Sequence, residues 1–311
     1  MFRLKDNVKV INFHEVYDIK WFEDIIIYLK NNKKIISCDD LYAYLNNQIK
    51  LKESYLLTVD DGHKSFYDNI FPVIKKHKVP IALFASPKIC KEKENFWWQE
   101  IENFDEILLK KIFSDIINIP VMVLNEMGIL TIIKSIKIEE VLEAISRYQK
   151  IAKVNKKSFQ NMTIDNLLEV KKTGLVTIGA HTMNHPILYN EDNDVSKYEI
   201  EESINELSNI LDKEIKYFAY PNGIPKIDYS DREMKYVKSK GIKISFSTKF
   251  KKVTRGDNLM EIPRGEISNG KFNFKNKLYL WEYWNTLTKI KNGNKTLEER
   301  DILLKMLKNN H

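Results

Sequence analysis

Two histidines four residues apart give the strongest chemical signal in the sequence. His181 and His185 lie in the segment GAHTMNHP, residues 179–186. Imidazole is the commonest metal ligand in proteins, and two histidines this close can reach one ion with little ordering of the chain. Histidine pairs in loops also occur where no metal binds, so this segment predicts a metal site only in combination with other ligands.

Two adjacent carboxylates, Asp60 and Asp61, supply the other half of the signal. They belong to the segment TVDDG, residues 58–62, at the end of a predicted strand. Neighbouring side chains on a strand point in different directions, so one carboxylate can bind a cation while the other accepts a proton from water. The alternative interpretation is an Asp-Asp-Gly turn with a structural role only.

The elements that must position these residues alternate between strands and helices. Strands are predicted at residues 8–13, 55–59, 80–84, 176–180, 215–220, 242–246 and 259–262. Helices are predicted at residues 21–30 and 66–77, at 166–172, from a Ser196–Glu199 capping box to about 211, and from a Ser230–Glu233 capping box to Gly241. This alternation indicates an α/β fold with parallel strands, and at least six strands fit a barrel better than a small open sheet. Parallel α/β folds place their chemistry at the carboxyl ends of strands, where His14, Asp60 and His181 are predicted to lie.

Two stretches do not follow this alternation of strands and helices. Residues from about 92 to 163 are helix-rich, begin near a Trp97-Trp98 pair and contain no catalytic cluster, so they predict an insertion packed on the barrel. After about residue 273 the pattern is helical again, and Thr296 with Glu299 predicts a capping box before the last helix. We therefore expect one domain over 1–270 and a C-terminal helical extension over 271–311.

Bulk composition narrows the class of protein. The 311 residues are 43% hydrophobic and 30% charged, which suits a globular core and excludes a disordered chain. No apolar run approaches the roughly 20 residues that span a bilayer, and no secretory signal is recognisable. These features predict a cytoplasmic protein, with peripheral attachment to the inner membrane as a variant. Cys38 and Cys90 are too far apart to indicate a disulfide scaffold or a thiolate metal site.

The net charge of +7 is spread evenly in sequence. It suits an acidic small molecule, a phosphate-linked carrier or a membrane surface, and it equally suits a solvated lysine-rich exterior. No nucleic-acid-binding motif accompanies it, so binding of DNA or RNA is not expected. The sequence does not indicate an oligomeric state.

Together the motifs resemble those of the polysaccharide deacetylases, the NodB-like group called carbohydrate esterase family four. The family motif T-F-D-D-G is found as residues 58–62, with Val59 in place of Phe, and H-[ST]-x-x-H is found at residues 181–185. The segment FAYPNG, residues 218–223, is similar to the F-A-Y-P-x-G form of one branch. The resemblance covers roughly residues 8–90 and 160–267 and implies an irregular (β/α) barrel of about seven strands.

The resemblance also implies ligands and a base. Asp61, His181 and His185 would hold a divalent metal, and Asp60 would act as the general base. Zinc is the default for this ligand set, although nickel, cobalt and manganese would use the same residues.

The third motif implies contacts with the substrate. Tyr220, Pro221 and Asn222 would line the substrate, and the backbone N–H at Asn222 would stabilise negative charge on a tetrahedral intermediate. Tyr220, Trp97 and Trp98 are candidates for stacking on a sugar ring, and for the Trp97-Trp98 pair packing in the core is the alternative.

Two departures from the family pattern concern the base and the acid. Where many members carry an arginine that orients the base, this sequence has Ala219. Arg264 resembles an arginine that members of the branch carry near the end of the barrel, and we expect it to support Asp60. The alternative is a surface arginine at a strand end. The late Leu-x-His motif of many members is absent, and His14, in the segment FHEV, resembles the acid histidine of circularly permuted members. A buried structural histidine is the alternative for His14.

Other aromatic and imidazole side chains favour structural interpretations. His63 is expected to point from its turn into solvent. Trp281, Tyr283 and Trp284 are expected to pack within the C-terminal helices, with contact to a partner or membrane as the alternative.

The function that follows is hydrolysis of an N-acyl bond, most simply N-acetyl, on an amino sugar. The substrate would be a polysaccharide or oligosaccharide, or a surface-glycan precursor linked to a nucleotide or lipid. Two alternatives are an amidase acting on a non-carbohydrate or N-formyl C–N bond, and a non-catalytic glycan-binding protein.

Overall fold

Parallel strands form the centre of the fold in a computed structural model that describes residues 7–270, 273–281 and 284–309. The strands run in the order β7-β6-β5-β4-β3-β1-β8, and β2 pairs with β3 beside this path. Their bounds are β1 Asn7–Phe13, β2 Lys34–Ile36, β3 Glu53–Val59, β4 Ile81–Ala85, β5 Val176–Ala180, β6 Tyr217–Ala219, β7 Ile244–Phe246 and β8 Gly265–Glu266. Every pair of strands in the described sheet is parallel, as the alternation of elements predicted.

Helices connect and cover these strands. The described helices are α1 Ile19–Asn32, α2 Cys38–Leu45, α3 Phe71–His77, α4 Pro87–Glu92, α5 Trp97–Ile101, α6 Glu106–Ile117, α7 Val121–Asn125, α8 Ile129–Ile133, α9 Ile138–Ala152, α10 Ile164–Lys172, α11 Asn193–Leu211, α12 Asp231–Ser239, α13 Phe274–Tyr279 and α14 Trp284–Asn309. A π-helical turn, Phe66–Ile70, leads into α3, and a 3₁₀ turn, Leu188–Asn190, precedes α11. None of the described helices is long and apolar enough to cross a membrane.

Side chains that alternate between the two faces of the strands pack in two separate hydrophobic clusters, and polar residues lie on the inner face. Val10 packs in a cluster with β4, β6 and β7 side chains, whereas Ile11 and Phe13 pack in the cluster that includes the helices. Successive side chains of a strand point to opposite faces, so Asn12 shares the face of Val10. The sheet thereby places a polar residue on its inner face just before the end of β1.

Strand register brings the motif residues to one edge. Phe13 pairs with Val59, and the N–H of Asp60 donates to the Phe13 carbonyl over 3.1 Å. In the same way Ala85 pairs with Ala180, and the N–H of His181 donates to the Ala85 carbonyl over 3.1 Å. The carboxyl ends of β1, β3 and β5 therefore deliver their following residues to the same rim.

Three predicted boundaries are wrong. Helix α11 begins at Asn193 after the N-cap residue Asp192, so Ser196 and Glu199 lie inside the helix and are buried instead of capping it. The predicted strand at 259–262 is reduced to a bridge between Phe246 and Ile262, and Gly265–Glu266 pairs with β1 instead. Helix α14 starts before the predicted Thr296 capping box and runs through it. Ser196 and Glu199 instead hydrogen-bond to Glu233 and to the Met183 N–H, so for α11 tertiary contacts outweigh the local pattern.

The predicted insertion is helical and has its own core. Phe113, Leu124, Ile132 and Tyr148 are buried together between α6 and α9 and their neighbours, and Leu303 of α14 belongs to the same cluster. A buried ion pair of 3.0 Å joins Arg300 of α14 to Asp228. The C-terminal extension therefore contacts both the insertion and a loop of the barrel.

The aromatic residues near the C-terminus divide into described and undescribed positions. Trp281 is buried and packs on Phe250 with ring centroids 4.3 Å apart, as the packing interpretation predicted. Tyr283 lies outside the described residues, and only the backbone of Trp284 is described.

Candidate metal centre and active site

Three predicted ligands converge at the carboxyl edge of the sheet. The Oδ1 atom of Asp61 lies 3.4 Å from Nε2 of His181 and 3.5 Å from Nε2 of His185. One ligand atom from each of the three residues lies within 4.8 Å of the other two. Two ligand atoms about 2.1 Å from one ion in tetrahedral geometry are roughly 3.4 Å apart, so the spacing suits a single metal ion.

The hydrogen bonding of these groups fits a metal as well as the spacing does. Oδ1 of Asp61 is buried and accepts no hydrogen bond from any described residue. The Ala219 carbonyl accepts a hydrogen bond of 2.7 Å from Nδ1 of His181, which leaves the Nε2 lone pair directed towards Asp61. A buried carboxylate oxygen without a donor is costly unless a cation meets it. The residues present therefore fit a divalent metal.

Electrostatics favours the metal-binding protonation states of Asp61 and His185. Burial opposes ionisation of Asp61, but His181, His185 and His14 together hold the pKa of its carboxyl well below the usual range. Burial lowers the pKa of His185 to about 3, so its imidazole is neutral at physiological pH. An ionised carboxylate and a neutral imidazole are the forms that bind metal.

The adjacent carboxylate, Asp60, has a different environment. Its Oδ1 and Oδ2 atoms accept hydrogen bonds of 2.7 and 2.8 Å from the two terminal nitrogens of Arg264, and Oδ2 also accepts one of 3.0 Å from Asn12. Burial opposes ionisation of Asp60, yet the charge of Arg264 holds the pKa of its carboxyl below the usual value. Asp60 is therefore an ionised, fixed carboxylate beside the ligand set.

Arg264 is not at the surface, which excludes the alternative interpretation of that residue. It is 1% exposed, and its guanidinium carbon lies 5.5 and 5.6 Å from the ring centroids of Phe84 and Phe246. The remaining donors reach Asn12 Oδ1 at 3.1 Å and the Ser247 carbonyl at 3.3 Å. Packing and hydrogen bonds thus fix the bidentate pair with Asp60.

His14 lies on the same rim and is partly exposed. Its Nε2 is 4.0 Å from Oδ2 of Asp60, and its Nδ1 is 3.7 Å from Oε1 of Glu266. Its side chain is 40% exposed, so the alternative of a buried structural histidine does not describe it. Partial removal of the ring from water disfavours the charged imidazolium, but the contact with Glu266 and the charges of Asp61 and Asp60 raise the pKa of His14 to about 9.

The third motif forms a strained turn after β6. Asn222 and Gly223 both have positive φ, 54° and 75°, and the Thr248 hydroxyl donates to the Asn222 carbonyl over 2.8 Å. No acceptor within the described ranges meets the backbone N–H of Asn222. Pro221 is buried in the turn. The turn thus leaves one backbone donor without a protein partner.

Comparison with known proteins agrees with this geometry. Residues 129–245 match the family model described as Polysaccharide deacetylase, a stretch that includes both histidines and the third motif but ends short of the aspartates. No curated protein matches the sequence significantly.

Solved structures share the fold. IcaB from Ammonifex degensii is 18% identical with a TM-score of 0.59, covering 85% of this chain and 93% of that one. The deacetylase PplD of Streptococcus pyogenes, in complex with acetate, is 18% identical with a TM-score of 0.61, covering 88% and 98%. The de-N-acetylase from Aggregatibacter actinomycetemcomitans is 17% identical with a TM-score of 0.56, covering 87% and 99%.

Residues 129–245 are therefore similar to the polysaccharide deacetylases. The fold is the predicted irregular (β/α) barrel, and the chain shares it with these solved structures.

Aromatic residues of the insertion contact His185 at the candidate site. The ring of Trp98 stacks on Phe96 with centroids 4.4 Å apart and meets His185 edge-on, also at 4.4 Å. Trp97 donates its indole N–H to the His185 carbonyl over 3.2 Å and is buried. Trp98 is only partly buried and is therefore the member of the pair that keeps part of its ring accessible to solvent.

Two sequence interpretations of aromatic and imidazole side chains need correction. Tyr220 is fully buried, stacked on Tyr229 at 3.7 Å, and its hydroxyl contacts the Met260 carbonyl at 3.1 Å, so its ring cannot stack on a sugar. His63 is 8% exposed and its Nδ1 meets the Ser65 hydroxyl at 2.9 Å, so it does not point into solvent. Packing of these rings satisfies their polar atoms inside the domain.

Sequence reasoning missed three polar residues of the candidate site. Asn12 contacts both Asp60 and Arg264, Glu266 faces His14, and Glu199 contacts the histidine loop. Asn12 carries a usable signal, since an amide two residues before His14 in a strand lies on the same face as His14. Glu266 and Glu199 are separated in sequence from the groups they contact, and their spacing does not predict these contacts.

Proposed function

We propose that this protein hydrolyses the N-acetyl group of an amino sugar in a polysaccharide or its precursor, with a divalent metal held by Asp61, His181 and His185. The observation that carries the proposal is the placement of Asp60, fixed by Arg264, beside three ligand atoms whose spacing suits one ion. Zinc is the metal we expect from a ligand set of two histidines and one carboxylate.

Asp60 is proposed as the general base. Its carboxylate is ionised and its orientation is fixed by three hydrogen bonds, from Arg264 and Asn12. A positioned carboxylate can take the proton from a water molecule as that water attacks the amide carbonyl. Arg264 is proposed as the residue that orients Asp60, in place of the arginine that Ala219 replaces.

The developing negative charge needs donors at the attacked carbonyl. When bound, the metal lowers the pKa of water and polarises the carbonyl oxygen. The backbone N–H of Asn222 has no acceptor among the described residues, and the turn that contains it is fixed by Thr248. We assign this N–H to the oxyanion, since a preformed donor costs no reorganisation at the moment of reaction.

His14 is proposed as the general acid. Its raised pKa, about 9, keeps the imidazole protonated at neutral pH, so it can donate a proton to the departing amine. Glu266, facing Nδ1, favours the protonated ring and sets its orientation. This assignment agrees with the resemblance of the FHEV segment to members in which the acid histidine comes first in the chain.

The partly buried ring of Trp98 supports a sugar as the substrate. Aromatic faces suit the apolar faces of pyranose rings, and this indole lies against His185 at the rim of the site. Trp98 thus replaces Tyr220 as the proposed stacking residue. The proposed substrate is the polymer or a precursor linked to a nucleotide or lipid, and each of these contains the same N-acetylated sugar ring.

The experiment measures metal content and acetate release together. Purified wild-type protein and the Asp61→Ala/His181→Ala variant are analysed by mass spectrometry and incubated with oligomers of N-acetylglucosamine. The expected result is one divalent ion per wild-type chain and zinc-dependent acetate release, both lost in the variant. Metal without acetate release from free or carrier-linked sugars would reject the deacetylase proposal in favour of an amidase. Absence of metal after addition of zinc, nickel or cobalt would leave a glycan-binding protein.

A further inference from the structure

A buried carboxylate outside the ligand set contacts the loop between the two histidine ligands. Glu199, on α11, is 2% exposed. Its Oε2 accepts hydrogen bonds of 2.9 Å from the backbone N–H groups of both Met183 and Asn184, and its Oε1 accepts one of 2.5 Å from the Asn184 side chain. One carboxylate therefore receives three donors from two consecutive residues of this loop.

The loop needs such support because its backbone is unfavourable. Thr182 and His185 adopt positive φ, 63° and 56°, a region that non-glycine residues seldom occupy. Strained conformations of this kind persist only where surrounding contacts determine them. The strained residues of this loop are His185, the second proposed metal ligand, and Thr182, which directly follows the first ligand.

The other contacts of the histidine segment do not involve its two central backbone N–H groups. The Trp97 indole donates to the His185 carbonyl over 3.2 Å, and the Ser86 hydroxyl donates to the His181 carbonyl over 3.0 Å. The His185 N–H donates to the Thr182 hydroxyl over 3.1 Å, which closes the turn on itself. Lys88 of α4 donates to Oδ1 of Asn184 over 2.8 Å and so holds the opposite end of that amide. Among the described contacts, Glu199 alone accepts the two central backbone N–H groups of the loop from another element.

We propose that Glu199 is a positioning residue of the metal centre: it holds the 182–185 turn so that both imidazole Nε2 atoms meet Asp61. The inference rests on the proposed metal site, and it assigns no contact between Glu199 and substrate. Groups that orient metal ligands through hydrogen bonds change metal affinity by about 10- to 100-fold when removed. Zinc affinity is therefore the property that Glu199 controls.

The test is a zinc competition titration on the full-length, zinc-loaded protein with a chromophoric chelator. Glu199→Ala is expected to weaken zinc binding by about 10- to 100-fold. Glu199→Gln is expected to fall between Ala and wild type, because its remaining oxygen can still accept from the two backbone N–H groups. The matched control is Glu202→Gln, one turn further on the same helix, which makes no described contact with the loop and should bind zinc as wild type does.

Thermal unfolding of each variant with and without zinc separates positioning from general stability. The expected pattern is a smaller rise in the unfolding temperature on adding zinc to Glu199→Ala than to the control. Equal zinc affinities for Glu199→Ala and Glu202→Gln, with or without a lower unfolding temperature, would overturn the inference. Wild-type protein that binds zinc but releases no acetate would reject the proposed function and leave this inference intact.

Discussion

Asp60 and Asp61 are neighbours in sequence, yet they lie on two sides of the site that differ in structure. Asp60 belongs to a polar cluster inside the sheet, where Arg264 and Asn12 donate the hydrogen bonds to its carboxylate. Asp61 faces the histidine loop, and its Oδ1 has no described donor. The first side is closed and fully hydrogen-bonded, whereas the second leaves one oxygen free for a cation.

The two sides also differ in backbone. The Asp60 cluster uses extended strands, whereas Asp61, Thr182 and His185 have positive φ values of 71°, 63° and 56°. Loops with such conformations depend on contacts from elsewhere. The comparison indicates that changes near Asp60 should affect stability and proton transfer, and that changes near the loop should affect metal binding.

The largest expected effect is loss of the metal on the Asp61 side. Asp61→Ala removes the one anionic ligand, and we expect stoichiometric zinc binding to disappear and kcat/KM to fall by roughly 10⁴-fold, since the metal supplies several kcal/mol. Metal analysis and acetate release measure the two quantities. Asp68→Asn, an exposed carboxylate paired with Lys64, is the control and should change neither. Retention of zinc by Asp61→Ala would contradict the assignment of Asp61 as the metal ligand of the two carboxylates.

On the Asp60 side the largest effect is on stability. Arg264→Met leaves Asp60 buried and without its cation, and we expect the free energy of unfolding to fall by about 3–5 kcal/mol, measured by urea denaturation. Zinc affinity of the folded variant should stay near wild type. The double variant Arg264→Met/Asp60→Asn should recover part of the loss, because it removes the unpaired charge. A double variant as unstable as the single one would contradict the ion-pair explanation.

Proton donation gives an intermediate effect with a defined pH dependence. His14→Gln should lower kcat by roughly 10²-fold without changing zinc content. Burial opposes protonation of His14, but Glu266, Asp61 and Asp60 raise its pKa to about 9, so wild-type kcat should fall as pH rises through that value and the proton is lost. Glu266→Gln removes one source of the raised pKa and should move this decline to lower pH. An unchanged pH profile in Glu266→Gln would argue against His14 as the acid.

The smallest expected effect concerns the rim on the histidine side. Trp98→Ala should raise KM for an N-acetylglucosamine oligomer by about 2- to 10-fold, which corresponds to a stacking energy of about 0.5–1.5 kcal/mol. Zinc affinity is measured in parallel, because the indole also touches His185. Tyr220→Phe removes only a buried hydroxyl and serves as the comparison, with KM unchanged. A larger KM change in Tyr220→Phe than in Trp98→Ala would reverse the assignment of the sugar-facing ring.

The sequence was most informative where chemistry and periodicity coincide. The residue types and order of Asp60, Asp61, His181 and His185 predicted a metal site, and strand ends predicted that they would meet at one edge. The rim positions follow from the parallel register, with Phe13 opposite Val59 and Ala85 opposite Ala180. Fold class was predictable for the same reason, since alternating strands and helices admit few arrangements.

Local patterns were least informative where one residue type serves two purposes. Ser196 and Glu199 form a capping-box pattern, but the helix begins three residues before Ser196, and Glu199 contacts the metal loop instead. Tyr220 has the composition of a sugar-stacking ring and is buried against Tyr229. A sequence pattern indicates which interactions a side chain can make, whereas tertiary packing determines which partner it contacts.

By itself the sequence determined the ligand types, their order and the strand ends that carry them, because these depend on chemistry and on a period of two residues. Only the tertiary structure decided that Arg264 pairs with Asp60, that Glu266 faces His14 and that Glu199 holds the histidine loop. The contacts to Asp60 and His14 join residues more than 200 positions apart. They are selected by burial, because an ionised or hydrogen-bonding group removed from water must find its partner wherever the fold brings one.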